Sequence, residues 1–348
     1  MNQNPFFFIL HPSAFILPEK SVSKFIRIGV SVVLLALVAI KTEWSKVGEA
    51  FAYLRLELWL AAVALLLLAQ AASTLRWAYL ARALGFQRSF GQLTGIYFIG
   101  MYFNLLLPTS VGGDVVRAWY LDSRSGRRLT AFVSVFLDRV SGLLVLLVMS
   151  CVALVVSPLE LPNWVSWFVW GATGCALLGL ATVPLLAGHG EKGAARRAKL
   201  RDALAVVRSP RVLVGTTLMS LAVQAANVVI VWLIGVAISA PVPFAYYWIM
   251  VPMVSLLTML PISVNGTGVR EWSMVLFLAH LQVSDGTATA LALLWFSVYV
   301  VVSLAGGLVY LFGRNARPDA ATITAEETQA APDIIEQPMT VGERRSAA

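Results

Sequence analysis

The sequence has few charged side chains, two cysteines and three histidines. Only 13% of the 348 residues are Asp, Glu, Lys or Arg, whereas 59% are hydrophobic and the mean hydropathy is +0.79. One soluble core cannot bury so large an apolar share, so the composition predicts a polytopic membrane protein.

The cysteines and histidines are scattered among unrelated segments, which indicates neither a disulfide framework nor a metal centre. The sequence also lacks a Walker motif, so any pumping would need an ion gradient or a lipid asymmetry.

Six apolar runs are close to or above the length that crosses a bilayer as a helix. The runs are continuous and do not alternate between apolar and polar residues, so they predict an all-α protein. Two further apolar stretches, 91–121 and 248–283, are interrupted near their middle. The six predicted transmembrane helices are 25–40, 58–75, 131–156, 165–186, 212–240 and 286–312.

Each interrupted stretch carries a copy of one motif. LPTSVGGDVVRAW begins at Leu107 and LPISVNGTGVREW begins at Leu260, and 8 of the 13 aligned residues are identical. Proline stops a helix and glycine permits a tight reversal, so we expect two helices joined by a break in each stretch. The return helices are expected to begin near Asp114 and Thr267. Unpaired backbone groups are costly in hydrocarbon, so such breaks predict a buried or water-filled cavity.

The positions of Lys and Arg predict which loops face the cytoplasm. Every basic loop lies in the cytoplasm only if neither interrupted stretch crosses the membrane. Stretch 91–121 must then enter from the cytoplasm and return to it, and stretch 248–283 must enter from the outside and return there. We therefore expect two oppositely oriented re-entrant hairpins, within an inverted repeat of units 58–156 and 212–312. The basic segments are 76–88, 117–128, 192–211 and the chain after 314.

The ends of the chain differ from the apolar middle. We expect residues 1–21 to be a disordered extension, 22–312 to form one transmembrane domain, and 313–348 to be a disordered cytoplasmic tail. With six crossings, both termini are expected in the cytoplasm of a bacterial or archaeal type of cell membrane.

The repeat also predicts a site. Broken helices at corresponding positions of an inverted repeat indicate substrate binding near the bilayer midplane. The N-terminus of each return helix attracts anions, phosphate especially. Arg117 and Arg270 follow at the same offset, where a guanidinium can bind phosphate through two hydrogen bonds. Asp138 and Arg139 lie well inside a predicted helix, and charges at such depth are functional candidates.

Simpler roles stay open for these side chains. Arg117 could contact cytoplasmic headgroups, Asp114 could pair with Arg117 three residues on, and Arg139 could extend to the interface. Four amides are more typical of contacts between helices than of ligand binding; they are Gln70, Asn104, Gln224 and Asn227.

Three stretches resemble a known family. GMYFNLLLPTSVGGDVVRAWYL, FLDRVSGLL and LPISVNGTGVREW, in this order, are similar to signatures of the flippase-like transmembrane domain of lysylphosphatidylglycerol synthases and their stand-alone relatives. The resemblance covers roughly residues 22–312 and implies movement of an anionic phospholipid or lipid-linked intermediate between leaflets. Together, the repeat and the resemblance give these candidate substrate-binding residues: Asn104, Pro108, Gly112, Gly113, Asp114, Arg117, Asp138, Arg139, Pro261, Gly266, Gly268, Arg270 and Glu271.

The expected function is transport without catalysis. The synthases add a soluble aminoacyl-transferase domain, which the polar tail 313–348 cannot form, so we expect no lysyl transfer, no catalytic residue, no metal and no cofactor. The expected ligand is an anionic phospholipid or a polyprenyl-phosphate-type lipid, with a lipid-modifying enzyme as a candidate partner and no nucleic acid. The alternative is a secondary transporter for a small organic anion, which the same architecture would serve.

Overall fold

The computed structural model describes residues 21–107, 111–122, 127–156, 163–182, 209–260 and 262–313. These ranges contain eleven helices and no β-strand. The helices are α1 (Ser21–Lys41), α2 (Trp44–Ala52), α3 (Leu56–Ala83), α4 (Phe90–Leu106), α5 (Gly112–Leu121), α6 (Arg128–Val156), α7 (Asn163–Thr182), α8 (Pro210–Ala237), α9 (Phe244–Met259), α10 (Val269–Ala279) and α11 (Asp285–Phe312). The predicted extension and tail lie outside the described residues, except at their inner ends.

Four helices are long and apolar enough to cross a membrane: α3, α6, α8 and α11. Each has 28 or 29 residues, which at 1.5 Å per residue gives about 42 Å, more than the hydrocarbon thickness. The prediction of an all-α membrane protein is confirmed. The apolar parts of α1 and α7 are shorter, at Gly29–Lys41 and Val165–Gly179, so crossing by these two helices stays a prediction.

Serine side chains cap the N-termini of several helices. The Ser89 hydroxyl accepts a hydrogen bond from the backbone N–H of Gln92, and the Gln92 side chain accepts one from the Ser89 N–H. Ser209 caps α8 through the N–H of Val212, just before Pro210, whose missing N–H costs nothing in a first turn. These local signals fix where each helix starts.

The first interrupted stretch forms an antiparallel pair of helices. The Gly113 N–H in α5 donates to the Asn104 side-chain oxygen in α4 over 2.8 Å. At the other end of the pair, Arg88 donates to the carbonyl oxygen of Leu121. The chain therefore enters along α4 and returns along α5 to the same end of the molecule.

The second interrupted stretch has the same form. The Tyr246 hydroxyl in α9 donates to the carbonyl oxygen of Phe277 in α10 over 2.6 Å, which joins the outer ends of that pair. At the inner end, Asn265, Gly266 and Gly268 all have left-handed backbone conformations, with φ of 51°, 72° and 83°. Glycine adopts this conformation at no steric cost, which explains the tight turn.

Three expected boundaries were wrong. The return helices begin at Gly112 and Val269, so Asp114 lies in the first turn of α5 and not at its cap. Helix α9 begins at Phe244 and not at 248, because Pro243 directly precedes it and presets the backbone for a helix start. Pro108 and Pro261, which we expected to stop the first limbs, lie outside the described residues.

Hydrogen bonds between helix ends show which ends lie on the same side of the molecule. The Arg55 N–H, before α3, donates to the carbonyl oxygen of Ala237 at the end of α8. At the opposite end, Arg127, before α6, donates to the carbonyl oxygen of Leu84, after α3. Helices α3 and α8 are therefore antiparallel, and the open end of the first hairpin lies beside Arg88 and Arg127.

The two units, α3 to α6 and α8 to α11, pack by a common plan. In order, α3, α4, α5 and α6 of the first unit correspond to α8, α9, α10 and α11 of the second. The first helices of the two units, α3 and α8, pack against each other. The second helix of each unit packs on the fourth helix of the other unit, and the third helix packs on the fourth helix of its own unit. Exchanging the units leaves these pairs unchanged, as it would for two units related by a twofold axis.

Candidate functional site

A cavity of about 220 Å³ lies halfway along the long helices. Gln70, Gln224 and Tyr299 line it, and each stands at the middle of a 28-residue helix, α3, α8 and α11 respectively. A residue at that position is about 21 Å from either helix end. If these helices span the bilayer, the cavity lies at its centre.

The walls of the cavity differ in polarity. The first unit supplies all the charged lining residues, which are Arg76 on α3, Arg117 on α5, and Asp138 and Arg139 on α6. Six uncharged residues add polar groups, and the rest of the wall is apolar; the six are Gln70, Ser73, Tyr97, Asn104, Gln224 and Tyr299. The apolar lining residues are Met101, Leu143, Leu146, Val223 and Met259.

The charged side chains form one connected network. Asp138 accepts hydrogen bonds from Arg76 over 2.8 Å and from Arg117 over 2.9 Å. Asp114 accepts two bonds from Arg139, over 2.8 and 3.1 Å, and lies 3.5 Å from Arg117. Three arginines and two aspartates leave one positive charge in excess. The network therefore favours an anion at the cavity.

Arg117 is the buried centre of this network. Its guanidinium carbon lies 4.4 Å from the ring centre of Trp77 and 4.2 Å from that of Tyr97, so it contacts two aromatic rings. Its side chain is 4% exposed, and its Nε has no partner among the described residues. Removing Asp138 would leave two buried cations without their shared carboxylate.

Arg139 is more open than the other charges. Its side chain is 47% exposed, against 12% for its partner Asp114. Asp114 occupies its Nε and Nη2, and no described residue bonds its Nη1. Arg139 thus presents a cationic donor to the cavity, and it does not simply extend to a helix end.

The two hairpin tips meet beside the cavity. The Asn104 side chain binds the first tip through Gly113, and its backbone carbonyl oxygen accepts a hydrogen bond from the Asn265 amide over 2.7 Å. A Cβ at Gly113 would lie on the carbonyl oxygen of Gly100, so only glycine permits this approach of α5 to α4. The second tip is also held by α1, where Ser31 accepts a hydrogen bond from the N–H of Val264.

Arg270 has a different environment from Arg117. It pairs with the adjacent Glu271 over 3.3 Å and stacks on the ring of Phe296 at 4.3 Å. The other Glu271 oxygen accepts the Gly268 N–H over 2.7 Å and thereby caps α10. None of these residues lines the described cavity. A Cβ at Gly268 would meet Leu34 of α1 at 2.8 Å, so that glycine serves packing.

The candidate residues therefore separate into two sets. The structure brings Asn104, Arg117, Asp138 and Arg139 to the cavity, with Asp114 behind Arg139. Gly112 begins α5 beside them. The second set does not line the cavity and builds the other tip and the start of α10: Gly266, Gly268, Arg270 and Glu271. A ligand-binding role for any of these residues stays a prediction.

Sequence reasoning missed several lining residues. Arg76 stands in a segment that looked like an ordinary cytoplasmic basic cluster, yet it is 6% exposed and also donates to Ser220 of α8. Tyr97 and Tyr299 stand among other aromatic residues in apolar helices, and nothing in the local sequence marks them as lining residues. Gln70 and Gln224, which the sequence indicated as contacts between helices, both line the cavity.

The fold and the cavity together define a multi-pass helical membrane protein with a charged chamber among its spanning helices. A comparison with protein families matches residues 24–307 to the lysylphosphatidylglycerol synthase TM region. The chain belongs to that family, which confirms the resemblance found in its motifs. No curated protein matches the chain at a significant level.

Proposed function

We propose that the protein moves an anionic phospholipid or a polyprenyl-phosphate-type lipid between the leaflets of the cell membrane without changing it chemically. The observation that carries the proposal is Arg139, a half-exposed cation in a net-positive cavity at the middle of the long helices. A charge at such depth in a membrane is costly even when it is paired, so its presence indicates a functional role. Membership of a lipid-related membrane family supports the same function.

The size of the cavity suits a headgroup. A volume of about 220 Å³ equals roughly seven water molecules, at about 30 Å³ each, and accommodates a phosphate with a small alcohol but not acyl chains. The chains would stay in the surrounding hydrocarbon while the headgroup passes the charged residues. The apolar wall around Met101 and Leu146 fits that division.

The architecture supports an alternating exposure of this site. We propose six transmembrane helices, α1, α3, α6, α7, α8 and α11, and two re-entrant hairpins, α4–α5 and α9–α10. The four hairpin helices have 17, 10, 16 and 11 residues, each shorter than a full crossing needs. The matching helix contacts of the two units support an inverted repeat, whose halves would rock about the cavity.

A vesicle assay tests the function. The protein is reconstituted with phosphatidylglycerol labelled on an acyl chain near the headgroup, and dithionite then bleaches the outer leaflet. We expect the bleached fraction of the labelled lipid to exceed the fraction in the outer leaflet only when the protein is present. The recovered lipid should have an unchanged mass. Arg139→Gln should slow the process, whereas Arg55→Gln, at an exposed pair with Glu57, should not. Equal bleaching with and without protein would refute the proposal.

The alternative cargo is a small organic anion, and the volume of the cavity favours it as much as a headgroup. The same vesicles can be tested for uptake of labelled glycerol 3-phosphate. Uptake without lipid movement would replace the lipid proposal by the secondary transporter.

A further inference from the structure

The polar groups of the cavity lie at two levels along the long helices. Arg76 marks the charged level, where it bonds Asp138 of α6 and Ser220 of α8. Gln70 stands six residues before Arg76 in α3, about 9 Å nearer to the middle of that helix, and lines the same cavity. The site therefore has a charged part and a neutral polar part, which follow each other along the axis of the long helices.

The charged part has no acid left for a cationic ligand. Both carboxylate oxygens of Asp138 accept hydrogen bonds from arginines, and both oxygens of Asp114 accept them from Arg139. Asp138 is the only acid among the described residues that line the cavity. An ammonium group would therefore meet a net positive charge and find no free carboxylate, at a depth where an unpaired charge is costly.

Arg139 keeps a place for an anion. Asp114 bonds the edge of its guanidinium that Nε and Nη2 form. The edge between Nη1 and Nη2 stays open, because Nη1 and the second hydrogen of Nη2 bond no described residue. This edge can hold a phosphate through two hydrogen bonds while Asp114 stays in place. One phosphodiester balances the excess charge of the network, whereas a headgroup that adds an ammonium restores it.

Gln70 gives the neutral part a group that suits hydroxyls. A side-chain amide has an acceptor oxygen and two N–H donors, so it can accept from one hydroxyl and donate to another. No described residue bonds the Gln70 amide, although polar side chains inside a protein rarely lack a partner. The other glutamine of the cavity, Gln224, bonds the carbonyl oxygen of Gly142 and the side chain of Asn227. Of the two amides, Gln70 is the one left for a ligand.

We propose that the cargo carries an uncharged polyol such as glycerol beyond its phosphate, and that Gln70 is the residue that recognises the hydroxyl groups. The phosphate binds Arg139 and the polyol binds Gln70, so a headgroup that ends in an ammonium, such as ethanolamine, is disfavoured. The inference rests on the proposed function for the lipid as cargo, whereas the preference for hydroxyls concerns binding alone.

Two labelled lipids test the preference in the vesicle assay. Phosphatidylglycerol and phosphatidylethanolamine, with the same acyl label, are compared in vesicles of one unlabelled composition, so only the headgroup of the label differs. We expect phosphatidylglycerol to move at least about tenfold faster. Equal rates, or faster movement of phosphatidylethanolamine, would overturn the preference while leaving lipid movement in place.

Two substitutions test whether Gln70 sets the preference. Gln70→Met keeps the length and removes the amide, so it should slow phosphatidylglycerol about three- to tenfold and lower the ratio of the two rates by the same factor. Gln70→Glu supplies a free carboxylate and should reverse the preference. Gln92→Glu, which makes the same change of charge at the cap of α4 and outside the cavity, should keep it. Equal slowing of both lipids by Gln70→Met would indicate a structural role and contradict the assignment.

A binding measurement separates this inference from the lipid proposal. If neither lipid moves, the proposed movement is refuted, and calorimetry then measures the preference on the protein in a polyoxyethylene detergent, which carries neither phosphate nor sugar. We expect glycerol 3-phosphate to bind at least about tenfold tighter than phosphoethanolamine. Equal or weaker binding of glycerol 3-phosphate would overturn the preference for hydroxyls.

Discussion

The two hairpins carry the same motif and use its arginine in different ways. In the first, Arg117 joins a network that reaches Asp138 on a neighbouring helix and lines the cavity. In the second, Arg270 pairs with the residue next to it, Glu271, and does not line the cavity. The repeat therefore preserves a backbone shape, two short helices with a close turn, while the charged chemistry is concentrated in one copy.

Such a division is physically reasonable for a membrane protein. Each buried charge needs a partner, and long-range partners require several helices to meet at one depth. The first hairpin meets α3 and α6, which supply Arg76, Asp138 and Arg139. The second meets α11 and α1, which offer Phe296 and Ser31. The second arginine bonds only its sequence neighbour Glu271, and its buried Nη2 has no hydrogen-bond partner among the described residues.

The largest expected effect concerns the orientation of the two hairpins. We place single cysteines at Ser125, after the first hairpin, and at His280, after the second, in a protein lacking Cys151 and Cys175. In intact cells a membrane-impermeant thiol reagent should label position 280 and leave position 125 unlabelled. Position 199 should also be protected and Asn163 labelled. Equal labelling of 125 and 280 would refute oppositely oriented hairpins.

The next effect concerns stability. Asp138→Asn leaves Arg76 and Arg117 without their carboxylate, and breaking such a buried pair costs about 3–5 kcal/mol. Glu271→Gln keeps an oxygen that can cap α10 and removes the carboxylate of one buried arginine and not of two, so we expect a smaller loss than in Asp138→Asn. Thermal unfolding of the purified variants measures both, with Glu57→Gln, at an exposed side chain, as the control. A larger loss in Glu271→Gln would invert our comparison.

A smaller effect distinguishes the glycines of the two tips. Gly113→Ala places a methyl group on the carbonyl oxygen of Gly100, and Gly266→Ala puts one 2.8 Å from Thr258 in a left-handed conformation. Overpacking and backbone strain of this kind each cost about 1–3 kcal/mol. Gly266→Asn should be milder than Gly266→Val, since Asn tolerates the left-handed region.

The matched control for the tips is Gly171→Ala, whose Cβ would meet nothing within 4 Å. Unfolding temperatures should fall for both tip variants and stay constant for the control. A tip variant as stable as the control would show that its glycine is not needed for the turn.

Much of the helical framework could be predicted from sequence because apolar runs and glycine-proline breaks are local signals. The positions of α3, α6, α8 and α11 follow from the runs, and both interrupted stretches form paired helices. The boundaries that failed depend on single capping residues, such as Pro243 before α9. Helix α2 was not expected, because its nine residues have neither the length nor the uninterrupted apolar character of a span.

The site was predictable only in part. Asn104, Asp114 and Arg117 stand close together in one motif, and Asp138 with Arg139 was conspicuous inside an apolar helix. Arg76 was not, because 62 residues separate it from Asp138, and only the folded chain brings them together. The motif likewise could not show that Arg117 lines the cavity and Arg270 does not, since the two arginines occupy the same position in it.

Lipid movement by matched variants of the two units tests the central claim most directly. Arg139→Gln removes the cation that faces the cavity, and loss of a charge-assisted contact of about 1.5–3 kcal/mol should slow movement at least about tenfold. Arg270→Gln removes a cation that does not line it, so the rate per folded protein in the same vesicles should stay within about twofold. Equal slowing by both variants, or slowing by Arg270→Gln alone, would contradict a site formed by the first unit.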